Sequence, residues 1–312
     1  MRLRPLAALA AAGLLTAGLA GTAGLAGVAG AAPLEVPHDF TGGLAEVLTD
    51  PGGEPAGAND FTCQPSAEHP RPVVLVHGTF LNKQSAWTTY APLLKNEGYC
   101  VFALTYGADT DAPWPLDQIG GRAPIPESAA EIGAFVDEVL AATGAEQVDI
   151  VGHSQGTFVP NYWIKFLGGA GKVGNYVSLA PLWGGVEDGD IAPGVPAEQI
   201  AELCEACMDM GPGSPSVVKM NASGSPYVPG VRYTNIMTRY DETVVPYTSG
   251  YVEGENAVNI VVQDTCPLDE SKHGALAASP VAAGHVLNAL DPDNPRAVEC
   301  VAVDAGNGAP KG

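Results

Sequence analysis

An α/β domain is the fold class this sequence predicts: a mostly parallel central sheet with helices on both faces. Two observations carry that expectation. Short apolar, β-branched runs alternate with amphipathic segments from about residue 71 to residue 180, the signature of repeated βαβ units. The chain beyond its leader holds 280 of the 312 residues, enough for one such domain with its own core. There are no internal repeats and no sign of a second domain.

The leader is residues 1–32. Arg2 and Arg4 give a basic start, Leu6 to Val28 carries no charge, and Ala29-Gly30-Ala31 offers a small-residue cleavage site. That reads as a secretory signal peptide, with glycines and a small-residue exit that favour cleavage over anchoring. Residues 33–70 are rich in Pro and Gly and read as an N-terminal arm lying over the surface. The domain then spans 71–300, followed by a C-terminal tail at 301–312.

Within it, Arg71 to Val76 reads as a buried strand ending at His77-Gly78-Thr79-Phe80. A helix is expected over 86–97 and a second strand over 99–104. Pro113, Pro115, Pro124 and Pro126 keep the next stretch a loop. Over 127–143, Ile132, Phe135, Val136, Val139 and Leu140 share one helical face. A strand at 148–151, a helix at 157–167 and a strand at 176–179 follow. The alternation then breaks. Residues 183–230 hold many Gly, Pro and acidic residues and one helix, 197–208; an insertion of that length reads as a lid or substrate-binding region. Strands at 231–240 and 257–262 and a closing helix at 281–290 complete the pattern.

The formal charge is −21, or −23 without Arg2 and Arg4. A phosphate backbone would be repelled, so nucleic acid is excluded as a partner. No segment after the leader is long and apolar enough to span a membrane, and a monomer is expected. All six cysteines, Cys63, Cys100, Cys204, Cys207, Cys266 and Cys300, lie beyond the leader. An even count in an exported chain argues for three disulfides, with fifteen pairings open to spacing alone. Cys204 and Cys207 form a C-x-x-C, but neither a thioredoxin-like context nor two further zinc ligands accompany it, so it reads as structural. Glu187, Asp188 and Asp190 read as a solvated loop face rather than a calcium site. No metal and no cofactor is expected.

The chemistry is carried by Gly152-His153-Ser154-Gln155-Gly156. It follows the run Val148 to Val151 and precedes a helix. Strand, G-x-S-x-G, helix is the context of a nucleophile elbow, in which a sharp turn lifts the serine to the end of the sheet. A serine hydroxyl is a weak nucleophile and needs a base held by a third group. Functional side chains of such sheets gather beyond the carboxyl ends of the strands. Asp241 and His273 lie there, and the order Ser154, Asp241, His273 is that of α/β-hydrolases. His285 is the rival base, but it falls inside the closing helix; Glu242 is the adjacent rival acid, one residue beyond the expected strand end, while Asp264 and Asp269 come too late in the sheet for the usual acid position, though some folds place it there. The two oxyanion donors are expected to be the amides of Gln155 and Thr79, with a possible third at the Thr79 hydroxyl. His77 and His153 read as structural. Phe80 and Trp183 directly follow strand ends and are expected to line an apolar substrate groove.

Four segments together carry a family resemblance: Val74 to Phe80, Gly98 to Gly107, Val151 to Gly156 and Thr238 to Glu242. They resemble secreted actinobacterial triacylglycerol lipases of the class 2 lipase family and, more distantly, yeast lipase B of the Candida antarctica type. The resemblance runs from about Cys63 to Pro292. It implies the triad Ser154, Asp241 and His273, the oxyanion hole at Thr79 and Gln155, and the pairings Cys63–Cys100, Cys204–Cys207 and Cys266–Cys300. One departure is Thr157-Phe158 after the elbow, where small residues or methionine are common in such enzymes.

The expectation is therefore a secreted, extracellular serine ester hydrolase acting on lipid esters at a lipid–water interface. An acyltransferase or a polyester or cutin hydrolase would use the same residues. A non-catalytic lipid-binding relative would be expected to have lost a triad member, and none is missing here.

Overall fold

The computed structural model describes residues 32–187 and 194–312. The leader reading and most of the acidic cluster, Asp188 and Asp190, lie outside the described residues. Val73–Val76 forms the first strand, β1. Val74 and Val76 enter one hydrophobic core; Val73 and Leu75 enter the other. Both faces are buried, which is why the run shows no polar alternation. Five more strands follow: β2 (Val101–Leu104), β3 (Val148–His153), β4 (Val173–Leu179), β5 (Arg232–Met237) and β6 (Ala257–Val261). They lie in the order β2-β1-β3-β4-β5-β6, and every neighbouring pair is parallel. The strand order reverses at β1, so a crevice opens beyond the carboxyl ends of β1 and β3.

Prolines explain where helices depart from the expected bounds. The helix expected over 86–97 is two: α2 (Lys83–Ala86) and α3 (Tyr90–Asn96), after α1 (Phe40–Thr49) in the arm. A continuous helix would set the Pro92 ring against the carbonyl of Thr88, whereas restarting at Tyr90 places Pro92 in a first turn. The same logic starts α4 (Ile125–Thr143) just before Pro126 and α5 (Val159–Phe166) just before Pro160. In the insertion, Cys204 leaves helical geometry (φ −154°, ψ 89°) and splits the expected helix into α6 (Ala197–Leu203) and α7 (Glu205–Asp209). A further helix, α8 (Pro215–Asn221), is capped by Ser214. Two more close the fold: α9 (Val262–Thr265) and α10 (Pro280–Leu290), the latter capped by the Ser279 hydroxyl.

Helices α4 and α5 cover one face of the sheet and α3 and α10 the other. The disulfides are Cys63–Cys100, Cys204–Cys207 and Cys266–Cys300. The arm and tail prove more integral than a surface wrap. The amide of Phe40 donates to the Asn307 carbonyl, Lys272 N–H donates to the Ala305 carbonyl, and Val303 is fully buried. Both ends are thus fastened beside the loop that carries His273. Among the described residues no helix is long and apolar enough to cross a membrane.

Candidate active site

β3 runs to His153, and the chain then turns so sharply that Ser154 adopts φ +54°. A non-glycine residue in the left-handed region costs about 1–3 kcal/mol and persists only where its surroundings enforce it. Here two glycines make the turn possible. A Cβ on Gly152 would lie 2.0 Å from the Gly156 carbonyl oxygen, and one on Gly156 would lie 2.0 Å from that of Val76. No larger residue fits either position. The G-x-S-x-G spacing is therefore a steric requirement of this elbow.

The turn presents Ser154 Oγ at 2.9 Å from His273 Nε2. His273 Nδ1 lies 2.9 and 3.0 Å from the two carboxylate oxygens of Asp241. Asp241 Oδ1 also accepts the backbone N–H groups of Thr243 (2.9 Å) and Val244 (2.8 Å). Burial alone would raise the Asp241 carboxyl, but the His273 charge and hydrogen bond, with those two amides, outweigh it and hold the group below its ordinary value. An ionised Asp241 fixes the proton on Nδ1 and leaves the Nε2 lone pair facing the serine. The three residues expected from chain order are thus brought together. The rivals are not: Glu242 reaches only the His273 backbone amide, and His285 contacts Thr265 Oγ1 instead.

The Thr79 and Gln155 amides donate to no other group among the described residues. The Thr79 hydroxyl donates to Gln155 Oε1 at 3.1 Å, so in this arrangement it is engaged elsewhere. His77 fixes this loop. Its Nδ1–H donates to the Gly78 carbonyl at 2.8 Å, and its Nε2 accepts the Tyr106 amide at 3.2 Å. Next to the nucleophile, His153 Nε2–H donates to the His273 carbonyl at 3.0 Å. Both imidazoles are buried. Burial pushes His77 down to about 4; burial, then the neighbouring His273, pushes His153 down to about 3.

These depressions have a sign. Between the folded values and the ordinary 6.5, the unfolded chain binds more protons, so stability is complete above pH 6.5 and declines as pH falls toward 4 and 3. Each histidine should cost roughly 1 kcal/mol between pH 7.5 and pH 5.5. Relief of repulsion on the acidic surface acts the other way. The measurement is therefore a difference: denaturant unfolding at both pH values, for wild type and His153→Gln, with the variant expected to lose the roughly 1 kcal/mol share that belongs to His153.

A cavity of about 260 Å³ opens above Ser154. Gly78, Thr79, His153, Ser154 and His273 form its polar end; Phe40, Phe80, Leu182, Val186 and Met210 form its apolar walls. Phe80 is where the sequence placed it, 39% exposed at the rim. Trp183 is not. It is fully buried, its indole N–H donates to Asn235 Oδ1 at 3.0 Å, and it packs among Tyr176, Tyr227 and Tyr233. The chain has turned inward there, so Trp183 fills the core, and its neighbour Leu182 faces the cavity. Besides Leu182, three wall residues escaped the sequence reading. Phe40 comes from the arm and packs edge-on near the His153 ring; Val186 and Met210 come from the insertion, joined by a 2.9 Å backbone hydrogen bond. Phe40-Thr41-Gly42-Gly43, an apolar residue opening a helix capped by Asp39, was the available signal for the first. A second cleft of about 580 Å³ lies at the amino ends of the strands, lined by Arg71 and Arg232. It holds no nucleophile–base pair.

The fold and this constellation are those of the α/β-hydrolase class with a serine nucleophile. The model of the family "Lipase (class 2)" matches residues 70–284. The chain belongs to the class 2 lipase family. Two solved structures share the fold at low identity. Lipase B of Aspergillus fumigatus superposes with a TM-score of 0.59 at 17% identity, over 78% of this chain and 56% of that one. This chain thus spans little more than half of that structure. The mature form of Bacillus licheniformis lipase BlEst2 superposes at 0.56 and 13% identity, over 77% of this chain and 99% of that one.

Proposed function

We propose that the chain is a secreted lipase that cleaves lipid esters through an acyl-enzyme on Ser154. One observation carries the reading: Ser154 and His273, the latter held by Asp241, open into a cavity walled on one side by Phe40, Phe80, Leu81, Leu182, Val186 and Met210, with Glu242 and Thr243 beside His273. Ser154 Oγ attacks the ester carbonyl as His273 Nε2 takes its proton. Asp241 stabilises the resulting imidazolium, and the Thr79 and Gln155 amides receive the negative oxygen. His273 returns the proton to the departing alcohol. Water, activated by the same imidazole, then releases the fatty acid and restores Ser154. The leader and three disulfides support export to an oxidising compartment.

The walls set the substrate preference. Each buried methylene gains roughly 0.8 kcal/mol, so kcat/KM should rise with acyl length until the cavity is full. The test is a rate profile over esters of two to eighteen carbons, with and without emulsion. A rise beyond four carbons and hydrolysis of emulsified triacylglycerol are expected. A peak at acetate with no triolein hydrolysis would make this a small-ester esterase. Met210→Ala should move the plateau to longer chains, and Met210→Phe to shorter ones; unchanged plateaus in both variants would remove Met210 from the substrate path.

A further inference from the structure

Asp241 and His273 stand on different loops, one after β5 and one after α9. The hydrogen bonds between their side chains are their contact within the relay, and a small shift of either loop would break the alignment with Ser154. Two buried side chains outside the relay join these loops. Gln263, on α9, is 5% exposed and Thr238, at the end of β5, is fully buried. Gln263 Oε1 accepts the Arg239 amide at 2.9 Å, while its Nε2 donates to Thr238 Oγ1 at 2.9 Å and to the Asp269 carbonyl at 3.0 Å. The Thr238 hydroxyl donates to the Ser271 carbonyl at 2.6 Å and accepts the Tyr240 amide at 3.2 Å. Backbone groups one and two residues before Asp241 are thereby tied to groups two and four residues before His273.

We propose that Gln263 and Thr238 are positioning residues, a polar bridge that sets the separation of the Asp241 and His273 loops and so the alignment of the relay. The proposal rests on the triad reading above. Three features favour it over a role in folding alone. An apolar pair would fill the same volume without the desolvation cost of an amide and a hydroxyl. The Gln263 amide has one orientation that satisfies it, since a flip sets N–H against the Arg239 N–H and oxygen against the Asp269 carbonyl. The far end of the bridge is fixed as well: Asp269 accepts Ser271 N–H at 2.8 Å and the Ser279 hydroxyl at 2.6 Å. A fully satisfied buried network of this kind specifies one geometry. Neither side chain lines the cavity, so the bridge should act on turnover and leave binding alone.

The test uses the full chain and a soluble butyrate ester. Thr238→Val removes the hydroxyl without changing shape, Thr238→Ser keeps it, and Gln263→Glu loses both amide donors. kcat and KM are measured for protein shown to be folded, and the low-field proton resonance of His273 Nδ1–H is recorded by NMR. Misalignment of reacting groups by about 1 Å can cost 10²-fold. Thr238→Val and Gln263→Glu are therefore expected to lose roughly 10- to 100-fold in kcat. KM should be little changed and the low-field resonance displaced, while Thr238→Ser should stay close to wild type. Should Gln263→Glu fail to fold, the Thr238 pair decides alone. Wild-type kcat in folded Thr238→Val, or equal losses in the Ser and Val variants, would overturn the bridge. Ser154→Ala is the control. If it is inactive while Thr238→Val is normal, only the bridge falls; if it stays active, the triad reading falls with it.

Discussion

Replacing Ser154 with alanine should lower kcat by roughly 10⁴-fold or more, with the fold intact. The size of the loss follows from what remains. Oxyanion donors and the cavity would still hold the ester, but no oxygen 2.9 Å from His273 Nε2 would be left to attack it. Folding should tolerate the change, because alanine relieves no packing and removes one hydroxyl from a residue held at φ +54° by the glycines around it. Far-UV circular dichroism and the unfolding midpoint check the fold, and ester turnover checks the chemistry. Persistent turnover would move the nucleophile elsewhere.

The second large effect is at the acid and the base. Asp241→Asn should cost about 10⁴-fold in kcat, comparable to the loss of the base itself. Asparagine can fill the site, but its amide gives no charge to stabilise imidazolium and can present N–H to His273 Nδ1, favouring the wrong tautomer. His273→Ala should be nearly as damaging as Ser154→Ala. His285→Ala should cost stability only, because His285 sits on α10 against Thr265 Oγ1. Parallel kinetics of the four variants read this out. An exchange of the two histidine results, or a loss in Glu242→Gln with Asp241→Asn unaffected, would contradict the assignment.

Much of this site is legible in the sequence because its residues sit where strands end. Ser154, Asp241 and His273 needed only strand positions and chain order, and the Gly152 and Gly156 spacing reports a steric demand that no other residue meets. The parallel sheet was legible from β-branched runs such as Val73–Val76, buried on both faces. Helix bounds were less so, because Pro92 and Pro160 act through the carbonyl four residues back, and hydrophobic periodicity does not register that. The substrate walls were least legible. Trp183 and Leu182 are adjacent and both apolar, and which one faces the cavity depends on a turn with no local signature. Phe40 reaches the site through contacts with the C-terminal tail, an arrangement that pairs the two ends of the domain. The Gln263–Thr238 bridge was silent for the same reason, since hydrogen bonds between loops leave no periodic trace.

Turnover through the His273–Asp241 relay requires a nucleophilic Ser154 that forms an acyl-enzyme. That requirement is tested most directly by reacting the protein with an alkyl p-nitrophenyl phosphonate and mapping the adduct by peptide mass spectrometry. One adduct per chain is expected, on the peptide containing Gly152 to Gly156, at Ser154, with matching loss of ester hydrolysis. An adduct on another residue, or full hydrolytic activity in protein modified at Ser154, would contradict it.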